Sequence, residues 1–394
     1  MNAFIVTLRN SRKYLTYPFM MAGVFAVIAA FAGVSSDYTV LVFGFCAPAF
    51  LGYYFCKNSK KGIACSVCVL CADLLLFSLT GRYFSLVAVL LLSAFAVFVF
   101  KRLNLVYGFF ALIISFSLLA VAAGNLSYLL TALSKSAAGL IKGRGFLFGS
   151  VSAFSELFVS DELSRLFFYK SYSESLLING EIVSGVKNIF TRLADNSVSL
   201  YLSGKYFVSV FLSLGLLAAV FNRVHSDERL SFIILIACAV LTGDIRLLSL
   251  FVLLYNPLVY AVYLIAISAS YFAAQVLDIR AGYLDNGGLI ELIRYIDKPA
   301  FLIITGLVLA VTMYFAARLV IAKMDLGAEV YYPKNARAVI EALGGGENID
   351  YIRGEKVIVR NPNLINILTL DCDIKANTVT LYKDDFDLIK PYFA

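Results

Sequence analysis

The sequence predicts an all-α polytopic membrane domain followed by a small C-terminal α/β domain. About 8–10 membrane segments are expected, re-entrant hairpins among them. Hydrophobic residues fill 61% of the 394 positions, against about 45–50% apolar usage in a soluble domain. Charged residues make up 15%, against about 25%. A soluble chain with this balance would lack the polar surface to stay in water, so lipid must cover much of it. After about Ala322 the composition turns charged, which places the boundary between domains 1–325 and 326–394.

Apolar runs of spanning length begin early. Arg9, Arg12 and Lys13 lead into a long run with no small-residue cleavage site, which reads as a first membrane helix. Helices are expected near 17–35, 38–56, 62–80, 84–100, 105–131, 206–222 and 300–322, with a broken hydrophobic region over 230–277. The apolar stretch 146–158 is short and suits a re-entrant or interfacial piece. Lys57, Lys60 and Lys61 follow the second run, and Lys101 and Arg102 follow the fourth. These basic loops alternate as they should for an N-terminus on the inside. The middle, 132–205, mixes Lys135, Lys142, Arg144, Asp161, Glu162 and Arg165 with apolar pieces. That mixture suits amphipathic or re-entrant segments lining an enclosed cavity.

In the tail, KNARAVIEAL (334–343) has helical periodicity and stops at Gly344. KVIVR (356–360) and TVTLY (378–382) read as strands, and 384–393 as a final helix. Gly344-Gly345-Gly346-Glu347 is not a phosphate-binding loop, because no Gly-Lys-Ser/Thr follows it.

Several function classes drop out. The net charge of +7 is spread over short loops with no basic tract, so a nucleic-acid reader is excluded. The seven Cys lie mostly in apolar runs and make no disulfide framework. Cys65, Cys68 and Cys71 share a helical face, but no fourth Cys or His is near them, and they read as small hydrophobes. His225 is the only histidine, which excludes multi-histidine zinc sites and leaves it as a solvated loop residue. No cofactor or metal is expected, and no catalytic residue is assigned.

Three polar features interrupt the apolar runs. Asp73 lies within one of them; an acid there is costly, and it reads as either functional or bonded to a neighbouring helix. Asp244 and Arg246 break the region between 230–241 and 247–255, with Asn256 and Pro257 following. Two half-length runs fit a transporter midplane site and a short extramembrane turn equally well. A second break, 278–299, holds Asp278, Arg280, Gly282, Asp285, Asn286, Gly287, Gly288, Glu291 and Arg294. It suits a re-entrant hairpin lining the same cavity.

Residues 223–295 resemble enzyme IIC, the membrane subunit of the glucose/N-acetylglucosamine/maltose superfamily of the bacterial phosphoenolpyruvate-dependent sugar phosphotransferase system (PTS). SDER (226–229), LTG (241–243), PLVY (257–260), IRAGY (279–283) and GLIE (288–291) fall in the family's order, and ARAVIEALGGGENI (336–349) is similar to the start of a fused enzyme IIB domain. The resemblance implies a multi-pass homodimer in the bacterial plasma membrane with a cytosolic tail. It also implies a sugar or other small polar solute as ligand, and phosphocarrier proteins or a separate IIB as partners. The implied solute-binding positions are Asp244, Arg246, Ser249, Asn256, Tyr263 and Asn286. The family's two glutamates fall on Arg246 and Ser249, and a histidine falls on Tyr263.

The phosphorylated cysteine of IIB falls on Glu355, the threonine and arginine that cradle its phosphate on Val357 and Ile358, and only Arg360 remains. Phosphoryl transfer needs the thiolate and the carboxylate that are replaced. Arg246 in place of a glutamate would reverse the sign of the pocket and favour anions. Three functions therefore stay open: a divergent sugar permease, a non-catalytic regulator or sensor, and a facilitator of an anionic solute.

Overall fold

The computed structural model describes residues 13–32, 37–80, 83–141, 144–158, 175–184, 189, 192, 202–224, 226–280, 287–295, 299–323, 334–346, 348–353, 356–366, 370, 372–381 and 385–389. The chain divides into two compact units, Thr7–Val320 and Ile321–Ala394.

The larger unit is helical. Its helices are α1 (Thr16–Phe31), α2 (Asp37–Cys56), α3 (Ser59–Thr80), α4 (Leu86–Arg102), α5 (Leu105–Ile141), α6 (Gly145–Phe158), α7 (Gly204–Val220), α8 (Ser226–Thr242), α9 (Arg246–Tyr255), α10 (Pro257–Val276), α11 (Leu289–Tyr295) and α12 (Pro299–Lys323). Among the described residues, five helices are long and apolar enough to cross a membrane: Tyr38–Cys56, Ser59–Leu79, Leu105–Ala123, Pro257–Val276 and Pro299–Ala322. Many of their large apolar side chains point outward, Ile114, Leu118, Ile304 and Leu319 among them. In water such surfaces would be untenable; against lipid they are solvated.

Helices in lipid gain nothing hydrophobic by associating, so they pack through small residues. A Cβ built on Gly52 of α2 would stand 2.7 Å from the Cα of Gly62 on α3. Gly145 and Gly149 of α6 bring that helix onto α10: a Cβ on Gly149 would meet the Ser268 Cα at 2.9 Å. The Gly145 N–H donates to Gln275 Oε1 at 2.6 Å, and Ser150 and Ser268 share a hydrogen bond of 2.7 Å. The short apolar stretch 146–158, expected as a re-entrant or interfacial piece, is a helix packed on α10.

Over 132–141 the middle differs from expectation, while 159–174 and most of 185–201 lie outside the described residues. In place of re-entrant pieces from 132 onward, α5 runs unbroken to Ile141, about 55 Å at ~1.5 Å per residue. Further on, β1 (Ser175–Ile178) and β2 (Glu181–Ser184) form an antiparallel hairpin. Asn179 and Gly180 turn it with φ of 52° and 85°. Both are positive, as a two-residue hairpin turn of this hand requires.

The smaller unit holds α13 (Lys334–Ala342) and a four-stranded antiparallel sheet of order β3-β4-β6-β5. Its strands are β3 (Ile349–Arg353), β4 (Lys356–Val359), β5 (Cys372–Lys375) and β6 (Thr378–Leu381). The helix ends as expected, with Gly344 and Gly345 at φ 92° and 91°. Val339, Ile340, Leu343, Val357, Val379 and Ile389 lie in one core. Asn348 anchors the turn after the helix. Its amide donates to the carbonyls of Leu343 (2.7 Å) and Asn361 (3.0 Å), and its Oδ1 accepts the Asn361 N–H at 2.8 Å. The sequence pointed to β4 and β6, the central strands; β3 and β5 are the edges. The expected final helix is described over 385–389.

Candidate functional site

The site is built where α8 stops. Thr242 turns its hydroxyl back onto the Cys238 carbonyl (2.8 Å) and accepts the Asp244 N–H at 3.1 Å. Gly243 takes φ 81°, a left-handed conformation that ends the helix without a side-chain clash. After three residues α9 begins at Arg246. Asp244 caps it, because Oδ1 accepts the Arg246 backbone N–H at 3.1 Å. The same carboxylate receives the Arg246 guanidinium side-on: Nε reaches Oδ1 at 3.0 Å and Nη2 reaches Oδ2 at 2.8 Å.

The Asp244 and Arg246 side chains are only 2% and 9% exposed. A water-facing turn would leave such charges wet, so the break lies inside the protein. Burying two ions costs several kcal/mol each, which only close pairing offsets. The pairing bears on the charge expected of Arg246: Asp244 takes one edge of its fork, so the pair by itself is neutral.

The second break meets the first. Gly288 lies so close to the backbone of 241–243 that a Cβ there would stand 2.5 Å from the Gly243 nitrogen and 2.5 Å from the Thr242 carbonyl carbon. The neighbouring Gly287 carbonyl accepts the Ser209 hydroxyl at 2.6 Å, and its N–H donates to Glu291 Oε2 at 2.8 Å. Glu291 therefore closes the N-terminus of α11. Ser209 sits in Phe207–Leu212, a π-helical stretch of α7. Such stretches are rare and often mark functional sites. Lys205, just before it, is buried and lies within electrostatic reach of Asp244. Lys205 stands in an apolar run, the signal by which an intramembrane charge is legible in sequence. Nothing in the sequence marked Ser209.

The remaining expected residues are dispersed. Ser249 is buried one turn along α9 from Arg246. Asn256 stands at the far end of α9, about 15 Å on at ~1.5 Å per residue. There it caps α10: Oδ1 accepts the Leu258 N–H at 2.9 Å, and Pro257 takes the first helical position. The Asn256 Nδ2 is buried with no hydrogen-bond partner among the described residues. Tyr263 is fully buried on α10. Asn286, Asp285, Gly282, His225 and Glu355 lie outside the described residues, as does the Arg294 side chain.

Elsewhere, Asp73 bonds to a neighbouring element: its Oδ1 accepts the Phe84 N–H at 2.7 Å, just before α4. Cys65 and Cys68 are buried while Cys71 is exposed, so the three thiols do not share one environment. In the smaller unit Val357 points into the core, and Arg360 pairs with Asp350 at 3.5 Å on the surface. Compared with models of known protein families, the chain matches none.

Proposed function

We propose that this chain is a divergent membrane permease built on the enzyme IIC plan of the sugar phosphotransferase system, acting on a sugar or similar uncharged polar solute. The observation that carries this reading is the buried Asp244–Arg246 pair between two short apolar helices, with Gly287–Gly288 and a π-helical turn against it. Transporters use such interrupted helices to offer backbone groups and side chains to a solute inside the bilayer. The ordered motifs from SDER (226–229) to GLIE (288–291) supply the family plan.

The pairing supports a hydroxyl-rich solute, since an anion would have to compete with Asp244 for the guanidinium and for the attraction of the buried Lys205. The tail carries no phosphate in this reading: Val357 is core-facing and Arg360 is already paired. Phosphate, where it is needed, comes from a separate IIB partner. The protein resides in the bacterial plasma membrane as a homodimer with its tail in the cytosol.

The test is uptake into proteoliposomes across a panel of labelled sugars, run beside labelled phosphoenolpyruvate with the general phosphotransfer proteins. Uptake of an unmodified sugar, reduced by Asp244→Asn, with no label on the chain is the expected result. Label on Glu355 would overturn the assignment of the tail. Absence of uptake for every sugar in the panel would overturn the permease and leave a regulator.

A further inference from the structure

We propose that Asp73 is a proton-binding site within the membrane unit, separate from the Asp244–Arg246 site. Asp73 lies on α3, inside the candidate span Ser59–Leu79, and is 1% exposed. Its Oδ1 is held by the Phe84 N–H at 2.7 Å. Its Oδ2 is buried and makes no hydrogen bond among the described residues. That oxygen faces a notch left by Gly44 on α2, where a Cβ would stand 3.6 Å from Oδ2 and 3.8 Å from Val89 of α4. The walls of the notch are therefore apolar on both sides.

No described cation reaches it. Lys60 and Lys61 open α3, and Lys61 is about 18 Å away along the helix at ~1.5 Å per residue. Lys101 and Arg102 close α4, a similar distance from Val89. Cys65, Cys68 and Cys71 lie on the same helix, and Tyr83 stacks on Phe77 of it. Of the groups on α2, Tyr38, Tyr53 and Tyr54 face outward, Cys46 is buried and Cys56 is half-buried; Tyr107 of α5 faces outward. Arg82 and the Asp37 side chain are outside the described residues.

The ligand follows from what the notch lacks. An ionised carboxylate buried without a counter-charge is strongly unfavourable, and such a group neutralises itself. A metal cation would require several oxygen ligands, and the notch offers one side-chain carboxyl. A proton requires none. The carboxylate takes H⁺ from hydronium, an O–H bond forms on Oδ2 and water is left; release reverses the step when the α2–α3–α4 packing admits water. This site is independent of the sugar-permease reading and stands or falls without it.

Two measurements test it on the full-length protein in membranes. Infrared difference spectroscopy of wild type against D73N in neutral buffer should show the carbonyl stretch of a protonated carboxylic acid, shifted in heavy water and lost in the variant. D73N keeps an acceptor for the Phe84 N–H, so the fold should survive. Following that carbonyl band in wild type as the pH is raised is the second measurement. It should persist at about pH 6, where a solvated carboxyl is ionised, and D73E should move it rather than remove it. Carboxylate bands alone at Asp73, or a band already lost by about pH 5, would overturn the proposal.

Discussion

Breaking the Asp244–Arg246 pair from one side at a time should cost far more than removing it whole. Asp244→Leu leaves a guanidinium buried in a residue only 8% exposed, and Arg246→Met leaves a carboxylate buried in one only 4% exposed. Removing one partner of such a pair costs about 3–5 kcal/mol. With both replaced, neither charge of the pair remains; what is missing is the acceptor for the Arg246 N–H, worth about 1 kcal/mol, and the attraction of Asp244 for the buried Lys205. The double variant should therefore fall about 1–2 kcal/mol below wild type, and the coupling between the sites should be on the order of 5 kcal/mol.

Thermal unfolding in detergent, followed with a thiol-reactive fluorophore, reads this directly. Cys65 and Cys68 are 0% exposed and sit on α3, away from the substituted break, so they report global opening. Each single variant should lose on the order of 10 °C and the double only a few degrees. If the single losses simply add to give the double, within about 0.5 kcal/mol, the pair is not a buried, mutually dependent unit and the reasoning fails.

Gly288→Ala probes the meeting of the two breaks. Its Cβ would press on three backbone positions, Leu241, Thr242 and Gly243, which no rotamer change can relieve. A loss of about 1–3 kcal/mol or more is expected in the same thermal assay; a melting point equal to wild type would show that 288 does not touch 241–243. Asn256 separates capping from burial. Asn256→Ala removes the acceptor for the Leu258 N–H and should cost about 1 kcal/mol. Asn256→Ser keeps a capping oxygen while removing the partnerless Nδ2, so it should be neutral or slightly stabilising by the same measure.

The sequence by itself determined the membrane class, the positions of most helices and the two central strands of the tail. Runs of apolar residues of spanning length are a one-dimensional signal, because lipid forces the backbone to pair within the run. The central strands β4 and β6 carry an apolar face that packs on α13, and that alternation is visible in VIV and TVTL. Edge strands β3 and β5 also pack Ile349, Ile352, Cys372 and Ile374 on that core, but IDYIR and CDIK carry charges between those positions, as edge strands do, and the apolar signal is weaker. The hairpin at 175–184 was legible in Asn179-Gly180 and went unread in a segment dominated by its charges.

At the site, the sequence located the break at 244–246 but could not tell a wet turn from a buried one. Only tertiary structure decided that, because burial depends on α7, α11 and the Gly287–Gly288 turn closing over residues distant in the chain. It also decided the chemistry of Arg246. A residue two positions away, Asp244, satisfies its guanidinium, and whether two neighbouring charges pair or point apart is set by the helix start that Gly243 makes possible. Asn256 shows the converse: its place before Pro257 already marks a helix cap, while the 15 Å or so of α9 separating it from Arg246 appears only once that helix is formed.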